Sequence, residues 1–166
     1  MNSEPKIDER AEQAYLGIRT VTPWQQLPTV IPRFIGEVFD FLGQQGIDPR
    51  GAPFVRYHAI DREELDIEVG VDIEVGVPIA QSASGDARVQ AGSLPAGRYA
   101  SLLHTGPYDQ LVQANAALLD WIASTGAKID QRPTPRGDAF GSRYESYLSE
   151  PAEKPERTEV AIRLAD

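Results

Sequence analysis

The chain has 166 residues, of which 41% are apolar, so it is long enough and hydrophobic enough to bury one ordinary core. It contains no cysteine, which excludes disulfides, thiol catalysis and cysteine-based zinc sites. Sixteen basic against 25 acidic residues give a formal charge of −9, and such a surface disfavours direct binding to nucleic-acid phosphates.

The first 13 residues are polar and lack the apolar stretch of a signal peptide. No apolar run approaches the roughly 20 residues that cross a bilayer. We therefore expect a cytoplasmic protein with no membrane partner. About 14 residues precede the first predicted strand, too few for a helix-turn-helix.

The first half of the chain predicts a strand, a helix and two more strands. In the helix, apolar residues recur at helical spacing, with Thr29 as the expected N-cap, Pro32 near the first turn and Gly46 at the end. The last strand alternates strictly between apolar and polar residues. The expected elements are a strand at Tyr15–Thr22, a helix from about Ile31 to Gln45, and strands at Pro53–Ile60 and Leu65–Ile79.

A six-residue duplication lies within this last strand. The sequence DIEVGV occurs at Asp66–Val71 and again at Asp72–Val77. An insertion of even length keeps each side chain on its own face of a sheet. We therefore interpret the duplication as a local extension of one strand, and not as a repeat architecture.

The second half predicts the same order of elements. A Gly/Ser/Ala-rich stretch, Gln81–Ser93, joins the halves. The predicted helix ends at Gly126, with Leu111, Ala114, Leu118, Trp121 and Ile122 facing inward. The expected elements are a strand at Arg98–Thr105, a helix from about Pro107 to Ser124, and strands at Phe140–Leu148 and Thr158–Leu164.

This order predicts an α+β fold of two βαββ halves, at about residues 7–80 and 88–166, within a single domain. Two such halves side by side give an antiparallel sheet with both helices on one face and a cleft on the other.

The strand near Glu145 carries the main candidate for a binding site. Strand alternation puts Arg143, Glu145 and Tyr147 on one face and Tyr144, Ser146 and Leu148 on the other. We expect the second set to face the helices, and Glu145 and Tyr147 to point into the cleft. A carboxylate beside aromatic rings can bind an organic cation, or act as a base or nucleophile if burial raises its pKa.

The aromatic residues of the chain could line an apolar pocket with a few polar groups. The histidines, His58 and His104, offer no metal-ligand spacing, and the sequence contains no nucleotide-binding or nucleophile motif. We therefore predict no metal and no cofactor, and a haem would lack an obvious axial ligand. The candidate pocket residues are Trp24, Tyr57, Tyr99, Tyr108 and Tyr147. Because Tyr57 and His58 lie on opposite faces, at most one of them can reach the cleft.

From about Tyr15 to Leu164 the chain resembles the GyrI-like, or AraC-type effector-binding, domain family. The resemblance rests on an ordered set of segments: PFVRYH at 53–58, EVGV at 68–71 with its duplicate, LPAGRY at 94–99, HTGPY at 104–108 and ESYLSEP at 145–151. It implies two βαββ modules related by a pseudo-twofold axis, with a ligand held between them.

The resemblance implies that Glu145 is the acidic anchor of a small-molecule pocket, with Tyr147 and Tyr108 as its closest aromatic partners and Tyr57 and Trp24 as further ones. It leaves three functions open. The first is a standalone binder of a hydrophobic, cationic compound for sensing, sequestration or detoxification. The second is a hydrolase that opens cyclopropane-bearing electrophiles, with Glu145 as base or nucleophile and Tyr108 as hydrogen-bond donor. The third is a module that acts on a protein partner, such as gyrase or a transcription regulator.

Overall fold

The computed structural model describes residues 1–60, 71–135 and 137–166. Its two α-helices are α1 (Leu27–Gln45) and α2 (Leu111–Thr125). Each helix follows a short 3₁₀ turn, Trp24–Gln26 before α1 and Tyr108–Gln110 before α2. Each ends at a glycine with left-handed backbone, Gly46 (φ 66°) and Gly126 (φ 79°), as the sequence predicts.

The helix starts differ from the prediction. Helix α1 begins at Leu27, so Thr29 lies inside the first turn and is not the N-cap. Pro28 occupies the first turn, where its missing N–H costs little, whereas Pro32 lies inside the helix. Helix α2 begins at Leu111 and not at Pro107, because the residues between them form the 3₁₀ turn.

Among the described residues, ten strands form one antiparallel sheet, in the order β1-β6-β10-β9-β3-β4-β2-β5, with a β7–β8 hairpin attached to β3 through β8. Their bounds are β1 Lys6–Arg10, β2 Gln13–Thr22, β3 Phe54–Ile60, β4 Val71–Pro78, β5 Gln90–Leu94, β6 Gly97–Thr105, β7 Gln131–Thr134, β8 Gly137–Phe140, β9 Arg143–Tyr147 and β10 Arg157–Arg163. With both helices against this curled sheet, the predicted α+β fold is confirmed.

The strand order is symmetric about the junction between β3 and β9. On either side lie β3-β4-β2-β5 and β9-β10-β6-β1, so each strand has a counterpart in the other half. Each of the two outermost strands lies beside one half in the sequence but pairs with the other half in the sheet. Strand β1 precedes the first half but pairs with β6 of the second, and β5 lies in the predicted connecting stretch but pairs with β2 of the first.

Two separate cores form where each helix packs on its half of the sheet. Helix α1 buries Phe34, Val38 and Leu42 against β2, β3 and β4. Helix α2 buries Leu111, Ala114, Leu118 and Ile122 against β6 and β10. A third cluster lies on the opposite face of the sheet and consists of Tyr15, Phe54, Leu94, Tyr99, Tyr144 and Ala161.

Four strands were not predicted, namely β1, β5, β7 and β8, and the predicted strand Phe140–Leu148 divides into the end of β8 and all of β9. The second DIEVGV copy, Asp72–Val77, lies in β4 as predicted, whereas most of the first copy falls outside the described residues. Within the described part of the chain, neither helix is long and apolar enough to span a membrane.

Candidate functional site between the two halves

The junction of the halves is where strands β3 and β9 pair. Val55 and Glu145 lie directly opposite each other in that pairing. Two residues beyond each of them on the same face lie Tyr57 and Tyr147. The pseudo-twofold axis therefore relates Val55 to Glu145 and Tyr57 to Tyr147, and it leaves a single carboxylate near the axis.

Glu145 is buried, with 5% of its surface exposed, and both carboxylate oxygens accept hydrogen bonds. The Tyr57 hydroxyl donates to Oε1 at 3.0 Å, and the Tyr147 hydroxyl donates to the same oxygen at 3.4 Å. The side-chain amide of Asn115, on α2, donates to Oε2 at 2.8 Å. A buried carboxylate needs such partners to offset the loss of its hydration.

The face of the sheet that bears Glu145 is opposite to the predicted one. The contact with Asn115 puts Glu145 on the helix-covered side, and Tyr147 packs against both helix-covered cores. Tyr144 belongs to the cluster on the other face. The prediction that Tyr144 and Leu148 face the helices is therefore wrong. Alternation separated the two sets of residues correctly, but alternation alone does not say which set meets the helices.

Burial raises the pKa of the Glu145 carboxyl, and the hydrogen bonds from Asn115 and Tyr57 oppose this shift without cancelling it. The Arg143 guanidinium also favours the ionised form. Burial and the neighbouring carboxylate raise the pKa of both Tyr57 and Tyr147 well above the ordinary value, so both hydroxyls remain donors at neutral pH.

Two aromatic pairs flank Glu145, one from each half. The Trp24 ring stacks on Tyr57 with centroids 6.4 Å apart, and the Tyr108 ring meets the Tyr147 ring edge-on at 5.7 Å. Trp24 is 39% exposed and Tyr108 is 45% exposed. The inner ring of each pair thus contacts the carboxylate while the outer ring reaches solvent. The residues brought together are the predicted Glu145, Trp24, Tyr57, Tyr108 and Tyr147.

A short internal repeat positions the two outer rings. Pro23–Leu27 reads PWQQL and Pro107–Leu111 reads PYDQL, and each segment forms the 3₁₀ turn that enters a helix. Trp24 and Tyr108 occupy the same place in this repeat. This repeat is visible in the sequence and by itself identifies these two residues as counterparts.

The prediction also missed two polar residues of the site, Asn115 and Arg143. Asn115 lies among the apolar residues of α2, where a polar side chain is unexpected. Arg143 was assigned to the same strand face as Glu145 but given no role. Its Nη2 donates to Asn115 Oδ1 at 3.2 Å, and its guanidinium lies over the Phe140 ring at 4.8 Å.

Two other aromatic and polar candidates lie on the opposite face. Tyr99 packs in the third cluster, on the face of the sheet away from Glu145. His58 is also on that face, with Nε2 2.9 Å from Glu74 Oε1, so Tyr57 is the member of this pair near Glu145. A hollow of about 600 Å³ on that face is lined by Phe54, Tyr99 and Tyr144, and another of about 540 Å³ is lined by His58. Glu145 lines neither hollow.

In the described part of the chain, no three His, Asp or Glu side chains are grouped so that they could hold a metal ion. What the site offers instead is one buried carboxylate, neutral hydroxyl and amide donors on its oxygens, and aromatic rings that extend from it to solvent.

Solved structures with the same fold include two of the protein EcmrR. The chain is similar to EcmrR in its complex with DNA (20% identity, TM-score 0.73), covering 98% of this chain and 57% of that one. It thus spans just over half of that protein. The C-terminal domain of EcmrR matches over 98% of both chains, at 20% identity and a TM-score of 0.72.

A third similar structure contains a ligand. The protein SAV2435 bound to tetraphenylphosphonium shares 15% identity and a TM-score of 0.57, covering 98% of this chain and 94% of that one. At these identities the structural matches show a shared fold. No curated protein matches the chain.

The family comparison extends over nearly the whole sequence. The sequence model of the family described as GyrI-like small molecule binding domain matches residues 3–165. This range includes both helices, every described strand and all five predicted site residues. The chain belongs to the family of GyrI-like small-molecule-binding domains.

Proposed function

We propose that this domain binds a hydrophobic organic cation between its two aromatic pairs, with Glu145 as the counter-charge. The observation that carries the proposal is a carboxylate that is 5% exposed and flanked by rings that reach the surface. A buried anion attracts a cation more strongly than a surface anion does, because solvent screens it less.

The hydrogen bonds of Glu145 support a particular kind of cation. Both of its oxygens already accept bonds from protein donors. A protonated amine needs acceptors for its own N–H groups, and the three donors already on the carboxylate leave few of its lone pairs for that purpose. A large cation without N–H groups needs no such acceptor, and it gains from contact with the faces of Trp24 and Tyr108. Tetraphenylphosphonium, the ligand of SAV2435, has this chemistry.

The charge should contribute a measurable part of the affinity. A cation about 5 Å from a carboxylate, at an effective dielectric constant of about 20, gains roughly 3 kcal/mol. Arg143 offsets part of this attraction. We therefore expect tetraphenylphosphonium to bind about 10- to 100-fold more tightly than a neutral compound of similar shape.

The test is titration with tetraphenylphosphonium, followed by the quenching of tryptophan fluorescence and by thermal unfolding. Ligand at about 100 times its dissociation constant should stabilise the fold by roughly 2.7 kcal/mol, or about 5–10 °C in a domain of this size. Triphenylphosphine oxide is the neutral control ligand. Glu145→Gln is the matched protein control, since it removes the charge and keeps the shape.

Two results would reject the proposal. One is the absence of any shift with tetraphenylphosphonium, and the other is equal affinity in the wild-type protein and in Glu145→Gln. Equal affinity for the cation and the neutral compound would show that the rings alone bind the ligand.

A second candidate function, hydrolysis of a cyclopropane-bearing electrophile, is supported by the raised pKa of Glu145 and by the tyrosine hydroxyls on its Oε1. Glu145 would take a proton from water while the water oxygen bonds to a cyclopropane carbon. The ring C–C bond breaks, its electron pair passes to a conjugated oxygen of the compound, and Tyr108 or Tyr147 donates a hydrogen bond to that oxygen. Alternatively, a Glu145 carboxylate oxygen itself bonds to the ring carbon as nucleophile. Mass spectrometry of such a compound incubated with the protein tests this function. Ring opening that Glu145→Gln abolishes would favour it, and an intact compound would exclude it for the substrate used.

A further inference from the structure

The side-chain amide of Asn115 connects the Glu145 carboxylate to the Arg143 guanidinium. Its Nδ2 donates to Glu145 Oε2 and to the Leu111 carbonyl, both at 2.8 Å. Its Oδ1 accepts from Arg143 Nη2 at 3.2 Å. A guanidinium can only donate, so Arg143 fixes which end of the amide it meets. The Nδ2 end must then face the carboxylate.

The internal symmetry shows that the fold does not require this polar pair. The repeated PWQQL and PYDQL segments align Ile31 of α1 with Asn115 of α2, and the sheet axis relates Val55 to Glu145. Ile31 and Val55 both pack in the core beneath α1. The same two positions therefore hold an apolar pair in one half and an amide–carboxylate pair in the other. The polar pair must serve the site and not the packing of helix on sheet.

We propose that Asn115 is a positioning residue for Glu145, which holds the carboxylate ionised and in one orientation while no cation is bound. This inference rests on the function proposed above. A protonated carboxyl has no charge with which to attract a cation, so a contact that favours the ionised form lowers the free-energy cost of removing the proton when a cation binds.

Among the groups around Glu145, the amide has a separate place, because it donates to Oε2 whereas both tyrosine hydroxyls donate to Oε1. The neighbouring groups that carry a charge or titrate are Arg143 and Tyr147 on β9 and Tyr57 on β3, while Val160 on β10 is apolar. Both tyrosines remain neutral in the working range because their pKa values are raised. Burial opposes ionisation of Glu145, and the Asn115 hydrogen bond is the foremost of the contacts that favour it.

The first measurement needs no ligand. The Glu145 carboxyl is titrated by carbon-13 NMR, its signal being assigned by its loss in Glu145→Gln. The wild-type protein is compared with Asn115→Ile, which copies the first half of the chain. The double variant Asn115→Ile with Glu145→Val copies both positions and is the folding control. If Asn115→Ile does not fold, Asn115→Ala takes its place, because it removes the amide with little steric change.

The second measurement is the affinity for tetraphenylphosphonium as a function of pH. Loss of one hydrogen bond to a charged group corresponds to about a tenfold change in an equilibrium constant. We therefore expect Asn115→Ile to bind about tenfold more weakly at the acidic end of the titration. The deficit should close as the pH rises, because Glu145 then ionises without help. The double variant should fold and show no charge-dependent binding.

The proposal predicts that Glu145 titrates at higher pH in the variant than in the wild-type protein. An unchanged titration midpoint would overturn it, and so would an affinity loss that is the same at every pH, which is the mark of a merely structural role. If the wild-type protein fails to bind tetraphenylphosphonium at any pH, the proposed function fails. The NMR titration still decides whether Asn115 sets the charge of Glu145.

Discussion

Removal of the Tyr57 hydroxyl tests the hydrogen-bonding scheme around Glu145. In Tyr57→Phe the ring and its stacking on Trp24 remain, and the lost contact is the 3.0 Å bond to Oε1. A buried hydrogen bond to a charged group contributes about 1.5–3 kcal/mol. We expect a loss of about 2 kcal/mol in the free energy of unfolding, or about 4–8 °C in Tm for a domain of this size.

Tyr147→Phe is the matched comparison, because its hydroxyl meets the same oxygen at 3.4 Å. This longer bond should contribute less than about 1 kcal/mol. Urea unfolding at pH 7.5, followed by circular dichroism so that changes around Trp24 do not disturb the signal, measures both losses at a constant m value.

Repeating the pair of measurements in Glu145→Gln completes the cycle. Without the charge, the Tyr57 hydroxyl should contribute about 1 kcal/mol, the level of a neutral hydrogen bond. Equal losses for the two tyrosines, or the same Tyr57 loss in both backgrounds, would refute the scheme.

Three further predictions concern the buried carboxylates and the packing of the sheet. Because the pKa of Glu145 is raised, the folded protein holds the Glu145 proton to higher pH than the unfolded chain does, and the stability of the wild type falls as the pH rises above about 4. Glu145→Gln lacks this loss, so urea unfolding should show it gaining stability relative to the wild type between pH 4.5 and 8. For Glu74, burial opposes ionisation but hydrogen bonds from His58 and Tyr15 outweigh it and lower the pKa. Glu74→Gln should therefore destabilise at pH 7, with a loss that shrinks as the pH falls; a parallel pH dependence for the two variants would contradict both assignments. Gly92→Ala should cost about 1–3 kcal/mol, since the added Cβ would lie 2.5 Å from Tyr15 Cζ. Gly36→Ala in α1 should stabilise by about 0.5–1 kcal/mol, because the added Cβ would meet nothing within 4 Å apart from the backbone of its own helix and its chain neighbours. Similar effects of the two substitutions would show that the sheet yields at Gly92.

Those parts of the fold with strong local patterns were predictable from the sequence. The apolar periodicity of α1 and α2, the glycines that end them, and the alternation in β4 and β10 are local signals, and the structure confirms them. Strands β1 and β5 have no such pattern, since one reads KIDER and the other QAGSL. They exist because a distant strand supplies their hydrogen bonds, and a local pattern does not contain that information.

The candidate site was predictable to a similar extent. A lone carboxylate between aromatic residues on β9 identified Glu145 and Tyr147, and the structure brings Tyr57, Trp24 and Tyr108 to them. The side of the sheet was not predictable, because alternation defines two faces without saying which one a helix covers. Asn115 was missed since an isolated polar residue on a helix gains its meaning only from what the sheet presents to it.

The exchange of the outermost strands between the halves has a mechanical consequence. Strands β1 and β5 each pair with the half of the sheet that is built from the other part of the chain. If the chain were cut between β4 and β5, each fragment would lack the edge strand of its own half and would carry the edge strand of the other half. The two halves are therefore joined at both edges of the sheet as well as at the β3–β9 pairing, which prevents a hinge motion between them. The rings of Trp24 and Tyr108 lie outside this constraint, because the short turns that enter the two helices carry them.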